Sequence, residues 1–194
     1  MALIVVGGQT KHVGKTTLVC EIIRHFVSAG WTAVKITSHF HEADDCNPIS
    51  SGSDWRICEQ AVSDTRADTA RYLLAGAVRA LLVCAESGSL PAACSALKRE
   101  VLASANLIVE STTAAEVLAP DMFLLVVDPK SHEFKPWARE QLARAHRLVL
   151  SPGAQRIGLD TPEPMPIIQA ADPGIDAGLA GDIERLLRTH SSTK

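Results

Sequence analysis

Residues 2–29 limit the folds open to this chain more than any other segment. Ala2 to Val6 is continuously apolar and ends at Gly7-Gly8. A short run of this kind predicts a strand covered on both faces, as in a parallel sheet. Thr16 to Ala29 predicts a helix, because Leu18, Val19, Ile22, Ile23, Phe26 and Val27 form an apolar stripe at helical spacing. Gly30 suits the position just past its end, and Trp31 to Thr37 reads as a second strand. A strand, helix, strand succession of this length implies a parallel pair with a crossover helix.

The loop between the first strand and the helix is Gly8-Gln9-Thr10-Lys11-His12-Val13-Gly14-Lys15-Thr16-Thr17. Backbone N–H groups of such a loop, with those at the helix start, point at phosphate oxygens. Gly14 lets the backbone come close and take unusual dihedrals. Lys15 brings a point charge to the β and γ phosphates, and Thr16 offers a hydroxyl to Mg²⁺. The standard spacing would put glycine at position 9, where this chain has Gln9, and starting from Gly8 makes the loop one residue longer. His12 is expected to act through its backbone N–H. Lys11 reads equally as a phosphate or dimer-interface contact and as a solvated lysine.

Beyond Thr37 the pattern changes. Residues 38–63 hold His39, His41, Asp44, Asp45, Asn47, Pro48 and several serines without a clear period, which predicts a long functional or mobile loop. Helices are then expected from Thr65 to about Ala75, Leu90 to Ala103, Thr113 to Leu118, Glu133 to Ala145 and Asp176 to about Arg188. Strands are expected at Arg79–Cys84, Asn106–Glu110, Met122–Val127 and Leu148–Leu150, with a further edge strand at Pro166–Gln169. Thr65 and Asp68 are spaced as a capping box. The alternation predicts one three-layer α/β domain over residues 1–194, Rossmann-like, with a mostly parallel sheet.

Composition narrows the function classes. The chain has 194 residues, 46% hydrophobic and 21% charged, which excludes disorder. A net charge of −3 gives no electrostatic footprint for nucleic acid. No apolar run reaches the roughly 20 residues needed to span a bilayer, and no signal peptide is evident. Five scattered cysteines (Cys20, Cys46, Cys58, Cys84 and Cys94) form no C-x-x-C pair, which predicts reduced thiols and a cytoplasmic location.

Taken with its flanks, the Gly8–Thr16 loop is similar to the G-T-x-T-x-V-G-K-T loop of dethiobiotin synthetases. The following elements resemble MobB, the adaptor of molybdopterin-guanine-dinucleotide synthesis. Lys35-Ile36-Thr37-Ser38-His39-Phe40-His41 stands where MobB has K-H-x-H-H-x-F. Asp68-Thr69-Ala70-Arg71-Tyr72-Leu73-Leu74-Ala75-Gly76-Ala77 stands where it has D-S-x-R-x-x-x-A-G-A, and Val109-Glu110-Ser111 where both families have V-E-G. The resemblance covers residues 2 to about 128 in order. It implies the SIMIBI class of P-loop nucleoside triphosphatases, with ATP or GTP and Mg²⁺ as cofactors and, commonly, a homodimer.

Several residues are candidates for the chemistry. Glu110 ends a buried strand, where ligands of open α/β sheets bind, and its carboxylate could hold Mg²⁺. Asp68 resembles an acidic residue that helps bind Mg²⁺ in dethiobiotin synthetases, or it serves only the capping box. Lys35 sits where related enzymes place a substrate- or phosphate-binding lysine, and otherwise snorkels from the strand end. Asp128 binds a water near the metal or caps a turn, and Arg66 and Arg71 meet an anionic substrate or solvent. His39, His41, Asp44, Asp45, Cys46 and Cys58 carry zinc-ligand chemistry without a standard zinc spacing.

Three functions follow. The first is a MobB-like triphosphatase in molybdenum cofactor biosynthesis, with Lys15, Lys35 and Glu110 as catalytic residues and Thr16, Asp68 and Glu110 on the metal. The second is an ATP-dependent ligase or kinase like dethiobiotin synthetase, acting on a small-molecule substrate. The third is a non-catalytic module that binds a partner protein and uses nucleotide for stability. No N-K-x-D element reads guanine, so ATP and GTP both stay open.

Overall fold

The computed structural model describes residues 1–40, 47–60, 67–101, 106–128, 130, 136–151, 167–169 and 175–191. Among the described residues nine strands form one sheet in the order β3-β4-β5-β2-β6-β1-β7-β8-β9. They are β1 (Leu3–Gly8), β2 (Trp31–Thr37), β3 (Asn47–Ser51), β4 (Trp55–Glu59), β5 (Arg79–Ala85), β6 (Asn106–Glu110), β7 (Met122–Val127), β8 (Arg147–Leu150) and β9 (Ile167–Gln169). From β5 to β9 every neighbouring pair is parallel. The antiparallel pairs are β3–β4 and β4–β5, at one edge, so among the described strands β4 alone runs against the others.

Helices cover both faces, which makes three layers. On one face α1 (Lys15–His25), α2 (Asp68–Leu74) and α6 (Ala177–Ser191) pack over Ile4, Val6, Ala33, Ile108 and Leu124. On the other, α3 (Leu90–Val101), α4 (Ala114–Leu118) and the segment after α5 (Pro136–Gln141) pack over Leu3, Val5, Val34, Val109 and Leu125. Successive strand residues serve opposite faces, so both core sets come from the same strands. This explains why β1 and β7 are buried at every position.

The termini of α1 are set by local chemistry. Leu18, Val19, Cys20, Ile22 and Ile23 are its buried stripe. Arg24 and His25 in its last turn complement the negative end of the helix dipole. A short 3₁₀ turn at Val27–Ala29 then ends on Gly30 at φ 66°, and the indole N–H of the fully buried Trp31 donates to the Phe26 carbonyl at 3.0 Å.

Two sequence expectations need correction. The segment expected as loop contains the β3–β4 hairpin, in which Gly52 N–H donates to the Trp55 carbonyl at 2.9 Å. Helix α2 starts at Asp68 with Ala67 in the cap position and no side-chain cap. Asp68 is therefore the first helical residue rather than the third of a capping box; Thr65 lies outside the described residues.

Candidate functional site

The loop between β1 and α1 is held by two glycines for different reasons. Gly14 caps α1 in the left-handed region (φ 103°, ψ 12°), and a Cβ there would meet nothing within 4 Å. Its glycine is required by the backbone dihedral alone. At Gly8 the requirement is space, because a Cβ would lie 2.7 Å from Val13 Cγ1 and 2.8 Å from Lys15 Cγ and Cδ. Val13 is buried and plugs the loop into the core beside α1. His12, exposed, takes φ 60°, so the chain turns left-handed twice within three residues. The Lys15 ammonium donates to the Thr10 carbonyl at 2.7 Å, which holds it across the loop. No side chain caps α1, and a helix start leaves its first N–H groups without intrahelical partners. These donors and the positive end of the dipole face the loop.

The loop is tied to the sheet from below. Gly8 N–H donates to the Thr112 hydroxyl at 2.8 Å, and Gln9 N–H to the Val126 carbonyl at 2.9 Å. The Gln9 amide oxygen accepts from Asp128 N–H at 2.8 Å. Gln9 is buried and anchors the loop to the end of β7. That corrects its expected place among the phosphate-facing amides, since its N–H is already committed. It also explains how the chain does without glycine at position 9: the side chain turns inward. Asp128 accepts from Lys130 N–H at 3.0 Å, the turn-capping alternative of its sequence reading.

Beside the loop, three central strands deliver a row of side chains on the α1–α2 face. Val6, Glu110 and Lys35 are register partners on β1, β6 and β2, near the carboxyl ends of those strands. Asp68 and Tyr72 stand four residues apart on α2 and so share a face. Thr16 donates its hydroxyl to Glu110 Oε2 at 2.8 Å, and Tyr72 donates to the same oxygen at 2.5 Å. Lys35 Nζ donates to Asp68 Oδ2 at 2.9 Å, and Arg71 reaches Asp68 Oδ1 at 3.4 Å.

The electrostatics follow from these contacts. Burial pushes the Asp68 carboxyl up, but Lys35, with smaller contributions from Arg71 and Thr16, holds it below its usual value. Burial, reinforced by Glu110, keeps the Tyr72 phenol protonated far above its usual range. Thr16 thus reaches both carboxylates. Two carboxylates and a hydroxyl make an all-oxygen donor set, which suits Mg²⁺ and not zinc.

The His/Cys constellation is not assembled among the described residues, where no group of three or more His, Cys, Asp and Glu could hold a metal. His39 Nε2 lies 3.5 Å from Lys11 Nζ. His41, Asp44, Asp45, Cys46 and Arg66 lie outside the described residues. Cys58 is disulfide-bonded, which corrects the expectation of reduced thiols throughout, whereas Cys20, Cys84 and Cys94 are buried thiols outside any disulfide.

Sequence reasoning missed Tyr72 and Thr112. Tyr72 is the single tyrosine of the chain and lies one helical turn from Asp68, a spacing that could have flagged it. Thr112 carries no such signal, because its partner Gly8 is 104 positions away.

The sheet order, the two helical layers and the loop after β1 together are a P-loop nucleoside triphosphatase fold. No family model and no curated protein matches the chain. In structure it is similar to LpxK from Aquifex aeolicus, solved in complex with ATP. The TM-score is 0.53 at 15% identity, over 98% of this chain and 68% of that one. It is also similar to the signal recognition particle receptor FtsY from Elizabethkingia anophelis, solved in complex with GDP. There the TM-score is 0.48 at 18% identity, over 86% of this chain and 56% of that one. The LpxK likeness shows the fold alone. Among the described residues no helix is long and apolar enough to cross a membrane.

Proposed function

We propose that this chain binds a nucleoside triphosphate with Mg²⁺ at the Gly8–Thr17 loop and hydrolyses it. The observation that carries the reading is the Thr16 hydroxyl 2.8 Å from the buried Glu110 carboxylate, at the start of the helix that Lys15 opens. Thr16, Glu110 and Asp68 would hold the ion, which supplies positive charge against the phosphate oxygens. The loop amides and the start of α1 bind the phosphates, and Lys15 exchanges the Thr10 carbonyl for phosphate oxygen. Catalysis is positioning and charge neutralisation.

Lys35 is engaged with Asp68. An engaged ammonium favours a hydrolase of the MobB type, with a role in molybdenum cofactor biosynthesis, over a ligase that needs Lys35 for a small acid.

Phosphate release from ATP and GTP, with wild type, Thr16→Ala and Glu110→Gln, tests the proposal. Slow release without added metabolite, reduced at least about tenfold in both variants, is expected. Turnover only with a small carboxylic acid would replace hydrolase by ligase. Nucleotide binding without any release would leave a binding module.

A further inference from the structure

We infer that Tyr72 is a positioning residue that presents Glu110 to the metal; this rests on the nucleotide-binding reading above. Glu110 is 6% exposed, and among the described residues no cation pairs with it. Its partners are two neutral hydroxyls, Thr16 and Tyr72, and both donate to Oε2. A buried carboxylate without hydrogen bonds would be strongly disfavoured. Two hydroxyl donors solvate the charge without cancelling it, as a lysine or arginine would. The second oxygen, Oε1, accepts no hydrogen bond from a described residue, so one carboxylate oxygen is left available for a metal.

The geometry also fixes direction. Tyr72 is fully buried on α2, its ring packed among the α1–α2 core residues, so its hydroxyl has little freedom. Its donation to Oε2 sets the rotation of the Glu110 carboxylate. Thr16, the other donor to that oxygen, belongs to the phosphate loop. The tyrosine hydroxyl thereby does for a ligating carboxylate what an outer hydrogen-bond partner does in metal sites generally.

The test is an Mg²⁺ titration of nucleotide-induced thermal stabilisation, with ATP and with GTP, in wild type, Tyr72→Phe, Glu110→Gln and the double variant. The Mg²⁺ concentration for half-maximal stabilisation should rise about 10–100-fold in Tyr72→Phe. Stabilisation by nucleotide in EDTA should stay unchanged. In the Glu110→Gln background the Tyr72→Phe substitution should add nothing, because the tyrosine acts through that carboxylate. A loss of intrinsic stability alone, with an unchanged Mg²⁺ midpoint, overturns the inference and leaves nucleotide binding intact. A wild type that no nucleotide stabilises at any Mg²⁺ concentration overturns the nucleotide-binding reading and the inference with it.

Because Tyr72 is the single tyrosine, 3-fluorotyrosine labels this site alone. Its ¹⁹F resonance should move with Mg²⁺ and nucleotide together but not with nucleotide in EDTA. An unmoved resonance under conditions where Mg²⁺-nucleotide stabilises the protein would overturn the inference even if Tyr72→Phe does not fold.

Discussion

Replacing Gly8 by alanine isolates the steric basis of the loop. The new methyl would lie 2.7 Å from Val13 Cγ1 and 2.8 Å from the Lys15 stem, whereas ordinary contact begins at 3.4 Å. Neither neighbour can retreat cheaply. Val13 is buried in the core, and Lys15 is tethered by its ammonium to Thr10 at 2.7 Å. Overpacking of this kind costs about 1–3 kcal/mol. In a chain of this size each kcal/mol lowers Tm by about 2–4 °C. Since the displaced stem belongs to Lys15, the lysine proposed to hold phosphate, nucleotide affinity is expected to fall as well. Gly88 is the control, because a Cβ there meets nothing within 4 Å and no left-handed φ is involved. Calorimetry of Gly8→Ala and Gly88→Ala, with and without Mg²⁺-ATP, reads both effects. If Gly8→Ala unfolds like Gly88→Ala and keeps the full nucleotide shift, the packing argument for this loop is wrong.

Other substitutions probe the anchors. Thr112→Val removes the acceptor of the buried Gly8 N–H, and an unsatisfied buried donor should cost about 1–3 kcal/mol in chemical denaturation. Asp68→Ala removes the ion pair with Lys35, whose side chain is 20% exposed, and should destabilise by about 1–2 kcal/mol, below the full cost of a buried pair. The pH dependence of the Asp68 pair has a definite sign. The folded-state pKa is depressed below 3.8, so the stabilisation is present above that value and disappears as pH falls through the folded value. Acid titration of wild type against Asp68→Asn should show this slope only in wild type. Burial pushes the Cys94 thiol up to about 11, so iodoacetamide at pH 8 should label it only after unfolding.

How much of this was legible in sequence depended on whether the signal was local. β1, β6 and β7 could be read because two-sided burial writes itself as continuous apolar runs. The loop between β1 and α1 could be placed because its residues are consecutive, between a strand and a helix that each read clearly. The β3–β4 hairpin could not. It is an edge pair in which Pro48 and Ile49 are exposed, with an irregular register between Pro48 and Ser50. Only Ile57 and Cys58 of β4 are buried, so hydrophobic alternation never appears. An edge strand tolerates proline and serine for the same reason. Glu110 and Thr16 were each recognised, but their contact joins residues 94 positions apart, and the Tyr72 hydroxyl on the same oxygen depends on how α2 docks.

The most direct test of nucleotide binding at this loop is thermal unfolding of wild type and Lys15→Ala with ATP, GTP or neither, each with Mg²⁺. Ligand at about 100 times its Kd adds roughly 2.7 kcal/mol, which is several degrees for a chain of this size. The account predicts that shift in wild type with at least one nucleotide and its loss in Lys15→Ala. No shift with either nucleotide over a wide concentration range, or an equal shift in the variant, would contradict it.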